Sequence, residues 1–282
     1  MLSAPGYVVR YPGIVPAMVK RVAAEPEPYY RAGRGAPVLL LHGLLLTWES
    51  WGGVLDELSS DHEVLAPTLP GHWGGPEAPR PATFAALADF AESVLDENGW
   101  STVHVAGNSL GGWLALELAA RGRARSVTVI APGGLWDSDA QAAQQLIRKY
   151  RAFGPVIGIG AGAAAPPMVR SLVIPLLAYR PAAVPHALAT ASAAAPAHCH
   201  IVDDLAEDPT LATGFTRLAD IEAPVTVLLC EHDRVLPARF QGRTETLPGI
   251  EARTLPGVGH VPMLEDPGAV AVEIRAGMAR AR

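Results

Sequence analysis

Short runs of aliphatic residues alternate along the chain with segments whose apolar positions recur every three or four residues. The runs are apolar at successive positions, which is typical of strands buried on both faces of a parallel sheet. Glycine, proline or aspartate bounds each run on at least one side. The pattern predicts strands at residues 38–41, 63–66, 103–106, 127–130 and 225–230.

The segments between these runs predict helices. Residues 84–95 carry apolar side chains on one helical face, residues 110–120 follow directly after a strand, and residues 269–281 form a closing helix. Helices that alternate with strands in this way are the crossover connections of a parallel sheet. The predicted fold class is therefore α/β, with a mostly parallel central sheet flanked by helices.

The strand spacing breaks between Gly134 and Asp220, where the sequence becomes helical and rich in Ala, Pro and Leu. This break predicts a helical insertion at residues 134–220, between a first part of the core at residues 1–133 and a second part at residues 221–282. A chain of 282 residues is long enough for one large core, since single cores stop growing at roughly 250 to 300 residues. A second independent domain is not expected.

One segment of the insertion predicts a helix with an apolar face that Pro175 kinks. Two interpretations of this face stay open: it roofs a substrate pocket, or it packs only on neighbouring helices of the insertion. The residues that form it recur at spacings of three and four, and they are Val169, Leu172, Val173, Leu176 and Leu177.

Composition and charge exclude several classes of function. The formal net charge of −6 gives no electrostatic support for a nucleic-acid partner, because phosphate binding needs a basic face. The two cysteines, Cys199 and Cys230, lie far apart in the sequence and imply no disulfide framework, which favours a reduced, cytoplasmic setting. Residues 1–20 lack the unbroken apolar region of an export signal, and apolar stretches elsewhere are too short to predict a membrane span.

The candidate nucleophile is Ser109. The motif Gly107-Asn108-Ser109-Leu110-Gly111 follows a predicted strand and begins a predicted helix. In this strand-turn-helix context the backbone bends sharply to present the serine oxygen, and the glycines remove Cβ atoms that would collide. Serine is a poor nucleophile at neutral pH, so a base and a group that orients the base are also required.

His260 is the candidate base and Asp233 the candidate orienting acid. His260 lies in the glycine-framed loop before the closing helix, and Asp233 directly follows the predicted strand at residues 225–230. A carboxylate in that place can reach a loop histidine, and the order Ser, Asp, His is that of α/β-hydrolases. An alternative acid, Asp137 or Asp139, stands after the preceding strand, although Asp233 is preferred.

The backbone N–H groups of Leu44 and Leu110 are the candidate oxyanion hole. Leu44 ends the motif Leu41-His42-Gly43-Leu44 after an early strand, and Leu110 follows the candidate nucleophile. Two such donors would stabilise the negative charge of a tetrahedral intermediate. His42 itself is interpreted as a structural residue rather than a catalytic one.

The chain resembles the α/β-hydrolase superfamily from about residue 38 to its C-terminus. The resemblance implies an eight-stranded sheet and identifies the insertion as a helical cap. The chain departs from the family's usual pattern at Thr68 and Trp73, so the loop at the pocket entrance is expected to have a different shape. The motifs that carry the resemblance, in the family's order, are Leu40-Leu41-His42-Gly43, Leu69-Pro70-Gly71-His72, Gly107-Asn108-Ser109-Leu110-Gly111-Gly112, Glu231-His232-Asp233 and Gly259-His260-Val261-Pro262.

The resemblance implies a serine hydrolase without a cofactor that cleaves a carboxylic ester, or a thioester, of an apolar small molecule. Relatives that act on haloalkanes or epoxides carry an aspartate at the position of Ser109, which disfavours those activities. Two alternatives stay open: carbon–carbon bond hydrolysis of the dienone-cleaving type, because an asparagine precedes the serine, and a non-catalytic binding protein. The sequence predicts neither the oligomeric state nor the acyl and alcohol groups.

Two further groups of residues have a functional and a structural interpretation. The segment His198-Cys199-His200 contains zinc-binding residue types, but ligands at such short spacing converge poorly on one tetrahedral centre, and no metal is expected. Trp48, Trp51 and Trp73 either line an apolar pocket or pack in the core, and the sequence does not choose between them.

Overall fold

The structure, a computed structural model, describes residues 27–136, 167–237, 244 and 250–281. Within these residues seven strands form one sheet. They are β1 (Tyr29–Ala32), β2 (Pro37–Leu41), β3 (Glu63–Pro67), β4 (Val103–Asn108), β5 (Ala124–Ile130), β6 (Val225–Cys230) and β7 (Ile250–Leu255). Their order across the sheet is β1-β3-β2-β4-β5-β6-β7, with β1 antiparallel to β3 and every other neighbouring pair parallel.

Eight α-helices are found in the same part of the chain. They are α1 (Gly53–Ser59), α2 (Phe84–Glu97), α3 (Leu110–Ala120), α4 (Pro167–Leu177), α5 (His186–Ala194), α6 (Val202–Glu207), α7 (Thr210–Thr213) and α8 (Pro267–Met278). Helices α1 and α8 contact each other on one face of the sheet, and α2 and α3 contact each other on the opposite face. The other four, α4 to α7, lie between β5 and β6 in the chain.

Strand β2, near the middle of the sheet, is apolar at every position because both of its faces are covered. Leu39 and Leu41 of β2 pack into the cluster that contains α2 and α3, whereas Val38 and Leu40 pack into the cluster that contains α1 and α8. All four side chains are fully buried. This is the pattern expected of a strand in a doubly covered parallel sheet, and the predicted fold class is confirmed.

The five predicted strands are present, and the sequence missed the two strands at the edges of the sheet. β1 has four residues and, within the part of the chain that the structure describes, pairs with β3 alone. Three consecutive residues of β7, Ala252, Arg253 and Thr254, are exposed to solvent. Edge strands have one solvent-facing side, so they lack the continuous apolar run by which the other strands are recognised. The resemblance implied eight strands, and the described residues form seven.

The predicted apolar face of α4 is divided, because Leu177 packs against the core cluster that contains α1 and α8 whereas other members pack near α5. Val169 contacts the cluster of Ala193 and Ala194 from the end of α5, while Leu172 is half exposed. Ile174, which the predicted stripe omitted, is buried with Ala189. The division into core and cap at residues 133/134 and 220/221 stays a prediction. Among the residues that the structure describes, no helix is long and apolar enough to cross a membrane.

Candidate active site

Ser109 occupies the sharp turn between β4 and α3. Its φ of 54° and ψ of −112° are unusual for a residue with a Cβ atom, and holding such a conformation costs about 1–3 kcal/mol. The turn is fixed on both sides: the N–H of Ser109 donates to the carbonyl of Ile130 at 3.0 Å, and its carbonyl accepts from the N–H of Gly133 at 2.9 Å. The strain therefore lies at the residue predicted to react, as in a nucleophile elbow.

Two glycines permit this turn for steric reasons. A Cβ atom at Gly107 would overlap the backbone of Gly111, and one at Gly111 would overlap the carbonyl oxygen of Leu41. Strand β4, helix α3 and the end of β2 therefore approach each other more closely than alanine would allow. Gly107 and Gly111 are required by packing around the turn, as the motif predicts.

The structure brings Asp233 and His260 into direct contact. Asp233 Oδ2 lies 2.7 Å from His260 Nδ1, and both side chains are buried. The second carboxylate oxygen, Oδ1, accepts the N–H groups of Val235 and Leu236, each at 2.7 Å. Since Oδ1 is held by the backbone of its own loop, Oδ2 is directed at the imidazole, which fixes the orientation of the ring.

The surroundings of Asp233 favour its charged form. Burial raises the pKa of this carboxyl, but the interaction with His260 and the two backbone N–H groups act in the opposite direction and together leave the pKa below its usual value. The carboxylate is therefore ionised at neutral pH and can stabilise a positive charge on the adjacent imidazole.

Asn108 connects the histidine loop to the turn that carries Ser109. Its Nδ2 donates to the carbonyl of His260 at 3.0 Å and to the carbonyl of Ile130 at 3.1 Å. The ends of β4, β5 and the loop after β7 thus meet at one buried amide group. Ser109, Asp233 and His260 consequently lie together at the carboxyl edge of the sheet, where ligands bind in open α/β sheets. Their catalytic roles stay predictions.

Leu44 and Leu110 line the same pocket as Ser109. Leu110 is the first residue of α3, so its N–H has no acceptor within the helix. Leu44 lies in a turn in which the N–H of Leu46 donates to the carbonyl of Gly43 at 3.2 Å. A Cβ atom on Gly43 would stand 3.3 Å from the Cβ of Ser109, so this turn packs directly on the candidate nucleophile. Both predicted oxyanion residues are thus near Ser109.

His42 supports this turn from behind. Its Nδ1 donates to the carbonyl of Gly43 at 2.8 Å, and its Nε2 accepts the N–H of Leu69 at 2.9 Å. The ring of His72 lies edge-on to it, with 4.9 Å between the ring centroids. Burial lowers the pKa of His42 far below its usual value and that of His72 to about 4. Both rings are therefore neutral, and the geometry agrees with a structural role for His42.

These two buried histidines predict acid sensitivity of the fold. The pKa values of these two histidines are lowered in the folded protein. As the pH falls below about 6.5, the histidines are therefore protonated in the unfolded chain while they are still neutral in the folded one. The free energy of unfolding should then decrease by up to about 1.4 kcal/mol per pH unit for each histidine, until the folded pKa, about 4 for His72, is reached. Urea unfolding at about pH 7, 6 and 5 measures this slope.

His72→Gln removes one of the two groups and should make the slope shallower, whereas His200→Gln, at an exposed histidine, should leave it unchanged. Equal slopes for the parent and His72→Gln would contradict the assignment, whatever the absolute stability of the variant.

An apolar pocket opens beside Ser109. The space between its walls, together with the open solvent at its mouth, amounts to about 580 Å³. Phe84 stacks on Trp113 at 4.1 Å between centroids, and Trp136 meets Trp113 edge-on at 5.5 Å, so that three aromatic rings form one wall. From the segment between β5 and β6, helices α6 and α7 line the pocket, and the predicted stripe on α4 does not. The remaining lining residues are Leu44, Ser109, Leu110, Gly133, Val202, Asp203, Leu205, Ala206, Leu211 and Leu236.

The sequence did not identify the tryptophans of this pocket. Trp113 falls in a helix that is apolar on all sides, where an aromatic residue looks like core, and Trp136 falls at the start of the insertion. The three tryptophans that were considered lie elsewhere: Trp51 is fully buried in the core, Trp48 packs near Tyr30, and Trp73 stacks on His198. None of these three lines the pocket.

The remaining candidate residues do not join this site. Within the described ranges no three His, Cys, Asp or Glu side chains come together as a metal site. His198 stacks on Trp73, and Cys199 and Cys230 are free thiols. Asp137 and Asp139, the alternative acids, lie outside the described residues.

Comparison with known proteins identifies the family. Residues 38–273 match the alpha/beta hydrolase family, which is most of the chain, so the chain belongs to that family. Epoxide hydrolase EphH of Mycobacterium tuberculosis is 40% identical over 193 residues, covering 66% of this chain and 90% of that protein. The family and its relatives support a hydrolase.

Two other proteins are similar to this chain, one over a third of its sequence and one in its fold. The 2-hydroxymuconate semialdehyde hydrolase of a Pseudomonas species is 35% identical over 95 residues, covering 32% of this chain and 33% of that protein. A thermophilic esterase from Thermogutta terrifontis superposes with a TM-score of 0.69 at 22% identity, over 90% of this chain and 93% of the esterase. At that identity the superposition supports the fold alone.

Proposed function

We propose that this protein is a serine hydrolase that cleaves a carboxylic ester, or a thioester, of an apolar small molecule through an acyl-enzyme. Ser109 is the nucleophile, His260 the general base, Asp233 the residue that orients the base, and the N–H groups of Leu44 and Leu110 form the oxyanion hole. The observation that carries the proposal is the buried 2.7 Å contact between Asp233 and His260, joined to the Ser109 turn through Asn108.

The proposed reaction needs only these groups. His260 Nε2 accepts the hydroxyl proton as Ser109 Oγ attacks the carbonyl carbon, and the two backbone N–H groups stabilise the resulting oxyanion. The imidazolium then gives its proton to the departing alkoxide, which leaves as an alcohol. Water, deprotonated by His260 in the same way, hydrolyses the acyl-serine ester, releasing the carboxylic acid and the free enzyme.

The residues that line the pocket favour an uncharged substrate. Its wall beside Ser109 is formed by Phe84, Trp113 and Trp136, and among the described residues that line it Asp203 is the one that carries a charge. An apolar acyl or aryl group gains roughly 25 cal/mol for each Å² that it buries there. A carboxylate on the substrate would instead lose hydration without meeting a lysine or arginine of the lining.

Epoxide opening, named in the mycobacterial relative, fits this serine poorly. A serine oxygen that opened an epoxide ring would form an ether. Water has no acyl carbon to attack in an ether, so the enzyme would remain alkylated after a single event. An aspartate nucleophile forms an ester that water can cleave, but the turn of this chain carries Ser109.

Carbon–carbon bond hydrolysis is the weaker alternative. It was motivated by Asn108, but this side chain is buried and its Nδ2 donates to two backbone carbonyls. Asn108 therefore holds the site together and does not select a reaction. The muconate derivative named in the Pseudomonas relative carries a carboxylate, and the described part of the pocket lining contains no lysine or arginine to pair with it.

The direct test combines a covalent label with a set of substrates. A fluorophosphonate should label the purified protein at Ser109, as located by mass spectrometry, and Ser109→Ala should not be labelled. We expect kcat/KM for p-nitrophenyl esters to rise from acetate to butyrate or beyond, because each added methylene buries apolar surface worth up to about 0.8 kcal/mol. The succinate hemiester, similar in length to butyrate but anionic, should be a poorer substrate than the butyrate.

Several outcomes would contradict the proposal. Labelling at another residue would remove Ser109 as the nucleophile. Multiple turnovers of styrene oxide without accumulation of an alkylated serine would favour epoxide hydrolysis, and a preference for the hemiester over butyrate would reopen the dienone alternative.

A further inference from the structure

A second buried carboxylate lies next to the proposed active site. The side chain of Glu265 is fully inaccessible to solvent. Its Oε1 accepts the N–H of Gly259 at 2.5 Å and the N–H of Tyr179 at 3.0 Å, while its Oε2 accepts the N–H of Arg180 at 2.7 Å. A buried carboxylate is costly unless hydrogen bonds compensate for the lost hydration, and here three backbone donors do so.

These donors belong to two segments that are distant in the sequence. Gly259 directly precedes His260, whereas Tyr179 and Arg180 follow the C-terminal end of α4. We call the group of Glu265, Gly259, Tyr179 and Arg180 the Glu265 junction. The Glu265 junction joins the loop that carries His260, the proposed base, to the residues that directly follow α4.

Further contacts hold the same two segments together on the other side of His260. The N–H of Val261 donates to the carbonyl of Leu177 at 2.8 Å. A Cβ atom at Gly259 would lie 2.7 Å from the nitrogen of Tyr179 and 2.8 Å from the carbonyl oxygen of Leu177. The histidine loop is thus in backbone contact with the end of α4 both before and after His260, and only glycine fits at position 259.

The loop of the proposed acid contacts the same segment. Arg234, next to Asp233, donates from Nη1 to the carbonyl of Pro175 at 2.8 Å. His232, on the other side of Asp233, stacks on Tyr179 with 3.6 Å between ring centroids and 19° between planes. Residues next in sequence to Asp233 and to His260 therefore contact the C-terminal end of α4 or the residues that follow it. The two proposed catalytic side chains are held through these contacts and not through contacts of their own with α4.

We propose that Glu265 is a positioning residue that fixes the His260 loop to the C-terminal end of α4, so that the insertion holds the base in register with Asp233 and Ser109. The activity part of this proposal rests on the proposed function. Glu265 does not touch the reacting atoms. It holds the backbone of Gly259 in place. Because Gly259 directly precedes His260, it thereby fixes the position of the imidazole relative to the turn of Ser109.

The test compares Glu265→Gln with Glu231→Gln. Glutamine keeps one oxygen that accepts hydrogen bonds, but its NH₂ group replaces the other oxygen and faces a backbone N–H group. The hydrogen bonds accepted by the replaced oxygen, on one side of the junction, are therefore lost. Glu231 is the matched control because it is half exposed and accepts a hydrogen bond from Gly257 of the same loop at 2.7 Å. We expect Glu265→Gln to lower kcat by about 10- to 100-fold, as for a base displaced by a fraction of an ångström. KM for the butyrate ester should change less than about twofold, and the rate of fluorophosphonate labelling should fall with kcat.

Glu231→Gln should leave kcat within about twofold of the parent. A folded Glu265→Gln enzyme with unchanged kcat and labelling rate would overturn the proposal, as would an equal loss in Glu231→Gln. A rise in KM with an unchanged kcat would instead assign Glu265 to substrate binding.

A measurement on the parent protein does not depend on catalysis or on the folding of a variant. If the junction opens as one unit, the amide hydrogens of Gly259, Tyr179 and Arg180 should exchange with solvent at similar, slow rates when followed by NMR. Clearly different rates for Gly259 and Arg180 would show that the two segments open independently and would overturn the proposal. If the esters are not hydrolysed at all, the proposed function fails, while this exchange result still decides whether the junction exists.

Discussion

Replacing Ser109 with alanine should lower kcat for the preferred ester by about 10³- to 10⁶-fold and leave the fold intact. The nucleophile is lost, while the oxyanion hole and the pocket still bind substrate, so KM should change little. Alanine has nearly the same backbone preferences as serine, and the two hydrogen bonds that hold the turn use only backbone atoms. Ester hydrolysis and urea unfolding measured on the same preparation test both parts.

Ser109→Gly separates the strain of the turn from its chemistry. Because glycine accepts the φ of 54° and ψ of −112° without a steric penalty, this variant should be as inactive as Ser109→Ala yet more stable than it, by about 1 kcal/mol. Residual activity within tenfold of the parent in either variant would mean that another residue attacks the substrate. A glycine variant less stable than the alanine variant would show that the turn is not strained.

Replacing Asp233 with asparagine should lower kcat by up to about 10⁴-fold, the magnitude known for the equivalent change in a serine protease triad. Oδ1 of Asp233 accepts two backbone N–H groups, so the amide oxygen of asparagine will stay on that side. Its NH₂ group then faces His260 Nδ1, which must become an acceptor. The proton moves to Nε2, and the imidazole can no longer accept the hydroxyl proton of Ser109.

Asp137→Asn is the matched comparison for this prediction, because Asp137 was the alternative acid in the sequence. It should have a mild effect, within a fewfold change in kcat, as measured with the same ester at a pH where the parent is fully active. A severe loss in Asp137→Asn together with a mild loss in Asp233→Asn would move the acid to the loop after β5.

The inner strands and the sharp turn at Ser109 were predictable from local patterns. Strand β2 is apolar at successive positions because both of its faces are covered, and this is visible without coordinates. The turn at Ser109 was predictable because the glycines around it serve a steric need of the backbone. Strand β7 was missed since an edge strand exposes polar residues on one side.

The aromatic wall could not be predicted in the same way. Phe84 lies in α2, Trp113 in α3 and Trp136 beyond β5, and each has a local context typical of core. Their common position beside Ser109 depends on how two crossover helices and the start of the insertion pack. The spacing of these three residues along the sequence does not predict that their rings meet beside Ser109.

The sequence by itself determined the order of the five inner strands, the helices α2, α3 and α8 and the sharp turn at Ser109. Each of these features depends on backbone sterics or on burial shared by neighbouring residues in the chain. Only the tertiary structure decided which groups meet across the edge of the sheet: Asn108 with His260, Glu265 with the end of α4, and three aromatic rings around one pocket. These contacts join segments far apart in the chain. Their geometry follows from the packing of whole elements, which no local pattern encodes.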